Sequence, residues 1–441
     1  MKDTFIIFIL CVTLCFTSSK NVDSTFNPYE ETTYYTVGNG KNFRVGILSD
    51  SQLLAYPEQD YYNFTDHLIR SFEVIKKYDV HAIIFPGDVS DRNGEYGYSL
   101  FRNSFLQVYP DESTRPIMMV VMGNHDYWEG PTEIIDRQEV FYKGTGEKPF
   151  THKVINGIHF VNWGSEDGSF EYCNENTDWA KQAIEKSLNE DPTKPIFVTT
   201  HLPPDNTVYG SVPWGNVKLA EFFKDYEQVI SISGHSHYSL IDERSIWQGT
   251  YTAINTQSIS YTEMETGKEN GSVPKDENGN DENSRKNYMG FIMDVDENKV
   301  SFQRISLAKD EFYGEPWIID RPVTQETFRY KYGTRENNSI APQFQGESDF
   351  VVYNKGTYYQ LNFKQAFHEN LVHSYRVVLE GDYEAVELLY FSDFYLMEED
   401  RSERITLKLP TLEYGIYKVT VYAIESFGKE SEPISGYVEL D

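Results

Sequence analysis

Five short apolar runs punctuate the first half of the chain: Phe43–Leu48, His81–Phe85, Ile117–Met122, Ile196–Thr199 and Val229–Ser233. Their length and their content of β-branched and aromatic residues predict strands. Between them the apolar spacing becomes helical. Thr65–Tyr78 sets Leu68, Ile69, Phe72 and Ile75 on one face behind a Thr cap, and Tyr98–Val108, Trp179–Leu188 and Val217–Phe223 predict further helices. Apolar strands alternating with helices predict an α/β domain with a sheet covered on both faces.

The texture changes further along. Residues 265–287 lack apolar periodicity and are dense in Asn, Asp, Glu and Gly, which predicts a mobile acidic surface loop. YMGFIMDVDENKVSFQRISL then predicts a hairpin turning at DEN. Beyond Pro322 only short strand-like stretches follow: YYQLNF, SYRVVLE, AVELLYF, ITLKL and YKVTVYAI. About a hundred residues of this kind predict a smaller all-β sandwich.

In α/β sheets, function gathers in the loops past the carboxyl ends of the strands. Here the five runs lead into SDSQ, PGDVSD, GNHD, THLPP and GHSH. Each contains a side chain able to ligate a metal ion, and four of the ten histidines (His125, His201, His235, His237) fall at these ends. Taken alone, Asp50 is as much a turn residue as a ligand, Asn124 is a turn asparagine and His201 caps a strand. Together with Gln52 and Asp88 they form a set large enough for two ions. His67, His81, His152 and His159 lie outside the pattern and read as packing or surface residues. Tyr127, Trp128, Trp163 and Trp214 stand near these loops, where they either line a cleft or, as for most aromatics, pack in the core.

In this order, GD-x-x-D, GNHD, the lone His of THLPP and GHSH resemble the calcineurin-like metallophosphoesterase superfamily, from about Phe43 to His237. The resemblance implies a β-sandwich core flanked by helices, two divalent ions (Mn, Fe or Zn) and hydrolysis of a phosphomonoester or phosphodiester by a metal-bridging hydroxide. It places Asp50, residue 52, Asp88 and His237 on the first ion, and Asp88, Asn124, His201 and His235 on the second, with Asp88 as bridge. It further implies that His125 protonates the leaving oxygen and that Asp91 orients His125. Arg92 either contacts phosphate or is a solvated loop charge. The chain departs from the common Asp-x-His at Gln52, as does a branch that includes manganese-dependent ADP-ribose and CDP-alcohol pyrophosphatase-like enzymes. Gln52 is therefore either a neutral oxygen ligand or a hydrogen-bonding residue beside the ion. The ending LEYGIYKVTVYAIESFGKESEPI resembles the last strands of a fibronectin type III domain, with Tyr417 as its corner tyrosine.

Composition narrows the partners. A formal charge of −30 opposes nucleic-acid scaffold binding and nuclease activity, because polyanions repel one another. Residues 1–19 read as a secretory signal, too short in its apolar run to anchor in a bilayer. The expected location is secreted or extracellular, or the lumen of the secretory or lysosomal pathway. With Cys11 and Cys15 inside that segment, Cys173 is left alone and no internal disulfide can form. Asn63, Asn270 and Asn337 begin glycosylation triplets. The expected division is a signal at 1–19, a catalytic domain at 40–322 and a β-sandwich at 340–441. The first reading is a secreted dinuclear-metal phosphoesterase; the other is a binding or adhesion protein on the same fold without its metals.

Overall fold

The computed structural model describes residues 26–165, 174–263, 282–346, 350–382, 385–410 and 412–440. The expectations for residues 1–19, Cys173, Asn270 and most of the acidic loop lie outside them. The described part of that loop is not a free surface segment: Glu282–Arg285 forms a 3-10 turn, and Asn287 is buried with its amide donating to the Tyr395 carbonyl.

Two mixed sheets build the N-terminal domain. The first runs Glu311–Asp320, Lys299–Ser306, Met289–Val295, Phe43–Ile47, Ala82–Phe85, Ile117–Val120 from edge to edge. The second runs Thr33–Tyr35, Phe150–Ile155, Ile158–Trp163, Ile196–Thr199, Val229–Ser233, Thr252–Asn255, Ile246–Gln248. They pack face to face through Val45, Ile47, Ile84 and Met119 of the first and Phe160, Phe197, Ile230 and Ile254 of the second. Helices Thr65–Lys76 and Glu95–Val108 cover the outside of the first sheet, where Leu68, Phe72, Ile75 and Phe101 meet Ile83, Phe85 and Val120. Asn174–Glu190 and Val217–Phe223 cover the second through Ala180, Ala183, Ile184, Leu219 and Phe223. The layers are helix, sheet, sheet, helix.

The five apolar runs are thus strands, but they do not share one sheet. Three belong to the first sheet and two to the second. Alternate residues of each strand face the shared core and the covering helices, so all five bury both faces and look alike in sequence. The hairpin at 288–307 forms as expected, with Asp294 opposite Ser301. The hairpin Phe150–Ile155/Ile158–Trp163 was hidden by His152, Lys153 and His159, which break its apolar pattern although all are buried. Its turn, Asn156-Gly157 with both residues at positive φ, is the signal that marks it. Thr65 is not the cap of the first helix: Asn63 Oδ1 accepts from the Thr65 N–H at 3.0 Å, one residue before the helix-flanking Phe64.

The C-terminal region holds two antiparallel sheets. Phe350–Asn354, Tyr359–Lys364 and Arg404–Lys408 form one; Val386–Phe391, Ser374–Glu380, Gly415–Ile424 and Ile434–Leu440 form the other. Leu361, Phe363, Val377, Ile405, Leu407, Val419 and Val421 fill the space between. The Tyr417 hydroxyl donates to the Glu413 carbonyl at 3.0 Å, the tyrosine corner of a β-sandwich. No helix among the described residues is long and apolar enough to cross a membrane.

One buried chain couples fold stability to acid. Thr32 Oγ1 lies 3.1 Å from His152 Nδ1, His152 Nε2 lies 2.9 Å from His159 Nδ1, and His159 Nε2 lies 3.0 Å from Glu190. Burial, aided by His159 and Lys186, pushes His152 from 6.5 down to about 3. The folded state therefore keeps His152 neutral while the unfolded chain takes a proton below 6.5, so this contribution is whole above that pH and falls away toward 3. In urea denaturation between about pH 6 and 4, wild type should lose about 1.4 kcal/mol per pH unit more than His152→Gln. Parallel losses in the two proteins would contradict this.

Candidate metal centre

The carboxyl ends of parallel strands from both sheets meet at one edge. Asp50, Asp88 and Asn124 follow strands of the first sheet; His201, His235 and His237 follow strands of the second. Their backbone is unusual. Asp50 (φ 56°), Gln52 (φ 40°), Asp88 (φ 50°), His235 (φ 72°) and His237 (φ 56°) are all left-handed without being glycine. Such residues cost about 1–3 kcal/mol each and persist where the surroundings hold them. Glycines make the room: a side chain at Gly123 would collide with the Asp88 carboxylate, and one at Gly234 with that of Asp50.

What these loops bring together is a set of acceptors. His201 Nδ1–H donates to the Pro86 carbonyl at 2.7 Å, so in the neutral ring Nε2 presents a lone pair. That lone pair faces Asp88 Oδ2 at 3.2 Å, Asn124 Oδ1 at 2.9 Å and His235 Nδ1 at 3.2 Å. On the other side of Asp88, Asp50 Oδ1 lies 3.2 Å from His237 Nε2. Ligand atoms of Asp88, His201 and His235 lie within 4.8 Å of one another, as do those of Asp50, Asp88 and His237. Asp88 belongs to both groups. Lone pairs directed at one another in a buried space repel unless a proton or a metal ion lies among them, and carboxylate, amide oxygen and imidazole together suit Mn, Fe or Zn. The residues present therefore fit two divalent ions.

The protein's own charges show the same conflict. At His201 burial is outweighed by Asp88, which pushes the imidazole up to about 9. At His235 burial wins, reinforced by His201, and holds it well below its ordinary value. Burial would raise Asp88, but His201 and His125 keep it far below the usual carboxylate range.

Beside this set, His125 Nδ1 lies 3.0 Å from the Asp91 carbonyl and 3.3 Å from Asp91 Oδ1. Gln59 Nε2 donates to Asp91 Oδ2 at 2.5 Å, and Arg92 is paired with both Asp91 and Glu129. Burial acts to lower His125, but Asp88 and then Asp91 outweigh it and raise it to about 9. A cation held by Asp88 would offset that attraction. Gln52 uses both ends of its amide: Oε1 accepts from Ser260 Oγ at 3.3 Å and Nε2 lies 3.2 Å from His125 Nε2. The Trp128 ring, 49% exposed, covers His125 at 3.8 Å between centroids, and Trp214 sets its edge 5.8 Å from His235. Tyr127 and Trp163 are buried core residues instead.

Asp126 was passed over in the sequence, although it ends the GNHD motif. It is fully buried, and its carboxylate accepts from the N–H groups of Val89, Ser90 and Gly123 at 3.2, 3.1 and 2.9 Å. It ties the Asp88 loop to the Asn124 loop. Ser258 Oγ likewise donates to the Asp50 carbonyl at 2.9 Å. Asp126→Ala would leave three buried donors unmet and should cost about 3 kcal/mol or more in urea denaturation, with Asp126→Asn intermediate. A loss below about 0.5 kcal/mol, as at an ordinary surface site, would contradict the latch.

Comparison with a family model agrees with this arrangement. Residues 43–239 match the model of the calcineurin-like phosphoesterase family. A dimetal phosphatase from Danio rerio is similar over 64% of this chain and 99% of its own, at 10% identity and a TM-score of 0.42. Purple acid phosphatase PPD1 from yellow lupin is similar over 63% of this chain and 54% of its own, at 12% identity and a TM-score of 0.42. A two-domain fibronectin type III segment from chicken tenascin is similar over 34% of this chain and 71% of its own, at 15% identity and a TM-score of 0.17. No curated protein sequence matches the chain. The motifs, the meeting of both sheets at Asp88 and the family match converge: residues 43–239 are a calcineurin-like phosphoesterase domain.

Proposed function

We propose that the protein is a secreted dinuclear-metal hydrolase of phosphomonoesters or phosphodiesters. The observation that carries this reading is the convergence of acceptor atoms on Asp88 from both sides. Asp50, Asp88 and His237 would hold one ion, and Asp88, Asn124, His201 and His235 the other. Such a pair supplies charge neutralisation and a water of lowered pKa.

The chain's own groups do the rest. His125 stands beside the acceptor set with Nδ1 held by Asp91, the arrangement that presents Nε2 to a leaving oxygen. Gln52 Nε2 donates to that same Nε2 when the ring is neutral, so its role is to place the His125 ring rather than to ligate, and the contact gives way to the leaving oxygen when Nε2 carries the proton. Arg92, paired with Glu129, lies at a cleft of about 590 Å³ lined by Tyr56, Gln59, Tyr61 and Asp91, where it can meet a phosphate oxygen. Trp128 shields one face of His125 from water. The signal-like N-terminus and the exposed Asn63 and Asn337 triplets support secretion.

With added Mn²⁺ the mature protein should hydrolyse p-nitrophenyl phosphate or bis(p-nitrophenyl) phosphate. Asp88→Asn should lose more than about a hundredfold of that activity, beyond the usual cost of removing a residue that merely supports a ligand. A wild type that stays inactive towards both esters after metal addition would defeat the enzyme reading and favour a binding protein. For Gln52→Ala, metal content should be unchanged while kcat falls about tenfold, part of the contribution of a positioned proton donor. Loss of an ion in that variant would make Gln52 a ligand.

A further inference from the structure

We infer that the C-terminal sandwich is part of the catalytic apparatus: through His373 and Tyr209 it braces the loops that carry His201, His235 and His237. The catalytic consequence rests on the phosphoesterase reading; the brace itself does not.

Tyr209 lies in the loop that begins at His201. Its hydroxyl is 2.9 Å from Nε2 of His373, a sandwich residue, and both side chains are buried. Burial holds the phenol well above its ordinary pKa, so the hydroxyl keeps its proton and can donate to the imidazole. His373 is itself fixed. Its N–H donates to the Ile424 carbonyl at 2.8 Å, its carbonyl accepts from Ser392 N–H at 3.1 Å, and its ring packs on Phe391 and Phe394.

On the other side, the Tyr209 ring lies 4.6 Å from that of Tyr238, the residue after His237, and under the Arg244 guanidinium at 4.2 Å. The Tyr209 N–H donates to the Arg244 carbonyl at 2.9 Å. The next residue, Gly210, has φ 87°, and a Cβ there would come 2.8 Å from Ser236, between His235 and His237. A shift of Tyr209 is therefore felt at both histidine loops.

Two further contacts from the C-terminal side reach the same loops. Arg335, in the helix Tyr332–Asn338, donates to the Glu243 and Ile246 carbonyls and lies 5.2 Å from the Phe427 ring of the sandwich. The Tyr395 carbonyl accepts from Asn287, whose own carbonyl accepts from Gln257, whose Oε1 accepts from Leu240 N–H. The apolar seam agrees: Leu371, Phe391, Phe394 and Leu396 share one core with Tyr209, Tyr238, Leu240 and Ile241. An accessory module on a linker would not bury its side chains in the catalytic core.

The test compares full-length wild type, His373→Ala, His373→Gln and Tyr209→Phe. Amide hydrogen exchange is followed in metal-free protein, and Mn²⁺ affinity by titration calorimetry. In His373→Ala and Tyr209→Phe the amides of residues 203–216 and 234–245 should exchange faster, and Mn²⁺ bind more weakly, each on the order of tenfold for one buried hydrogen bond left unmade. His373→Gln, which can accept from the Tyr209 hydroxyl, should restore both, and amides of Ser374–Glu380 and Gly415–Ile424 should not change. Unchanged loop exchange in a folded His373→Ala, or faster exchange spread evenly over the sandwich, would overturn the brace. If His373→Ala does not fold, Tyr209→Phe decides alone, since it removes a single oxygen. Loops that respond as expected in a protein that binds no Mn²⁺ would sustain the brace and defeat the phosphoesterase reading.

Discussion

Asp88, Asn124 and His235 all turn an acceptor atom toward Nε2 of His201 in a buried space. Without an ion, a proton on His201 joins it to Asp88, and the remaining acceptors are kept close only because the fold holds them. The backbone does so first: Asp50, Gln52, Asp88, His235 and His237 keep left-handed conformations that free chain would leave at once. The local strain is a cost the fold holds, and a bound cation would take the place of the His201 proton among the acceptors.

The surrounding architecture explains how that cost is borne. Two sheets buried on both faces deliver five loops to one edge, and strands so covered do not fray. Asp126 then joins two of the loops by three backbone hydrogen bonds, and Ser258 fixes the carbonyl of Asp50. The C-terminal sandwich shares its seam with the loops that carry the histidines of the second sheet. Support comes from every side, which is what a preorganised site requires.

Much of this was legible in the sequence because strand ends are short and their chemistry is concentrated. Asp50, Asp88, His201, His235 and His237 lie together where the loops meet, and the Tyr417 hydroxyl makes the corner bond that the sandwich pattern implied. Less visible were features that depend on partners remote in sequence. The division into two sheets is hidden because helices and opposite sheet bury strands in the same way. The histidine-containing hairpin at 150–163 violates apolar patterning, since His152 and His159 satisfy one another only once folded. Asp126 resembles any motif aspartate until the N–H groups of Val89 and Ser90 are brought to it. Gln52 reads from the sequence as either an oxygen ligand or a hydrogen-bonding residue beside the ion, and its contact with His125 needs three dimensions to appear.

The central claim is that Asp88 is shared by two adjacent cation sites. Equilibrium dialysis against Mn²⁺, with the ions per chain counted, tests it most directly. About two ions in wild type and about one or none in folded Asp88→Asn is the result predicted for a bridging carboxylate. Equal metal content in the two proteins, or a wild type that retains none, would contradict it.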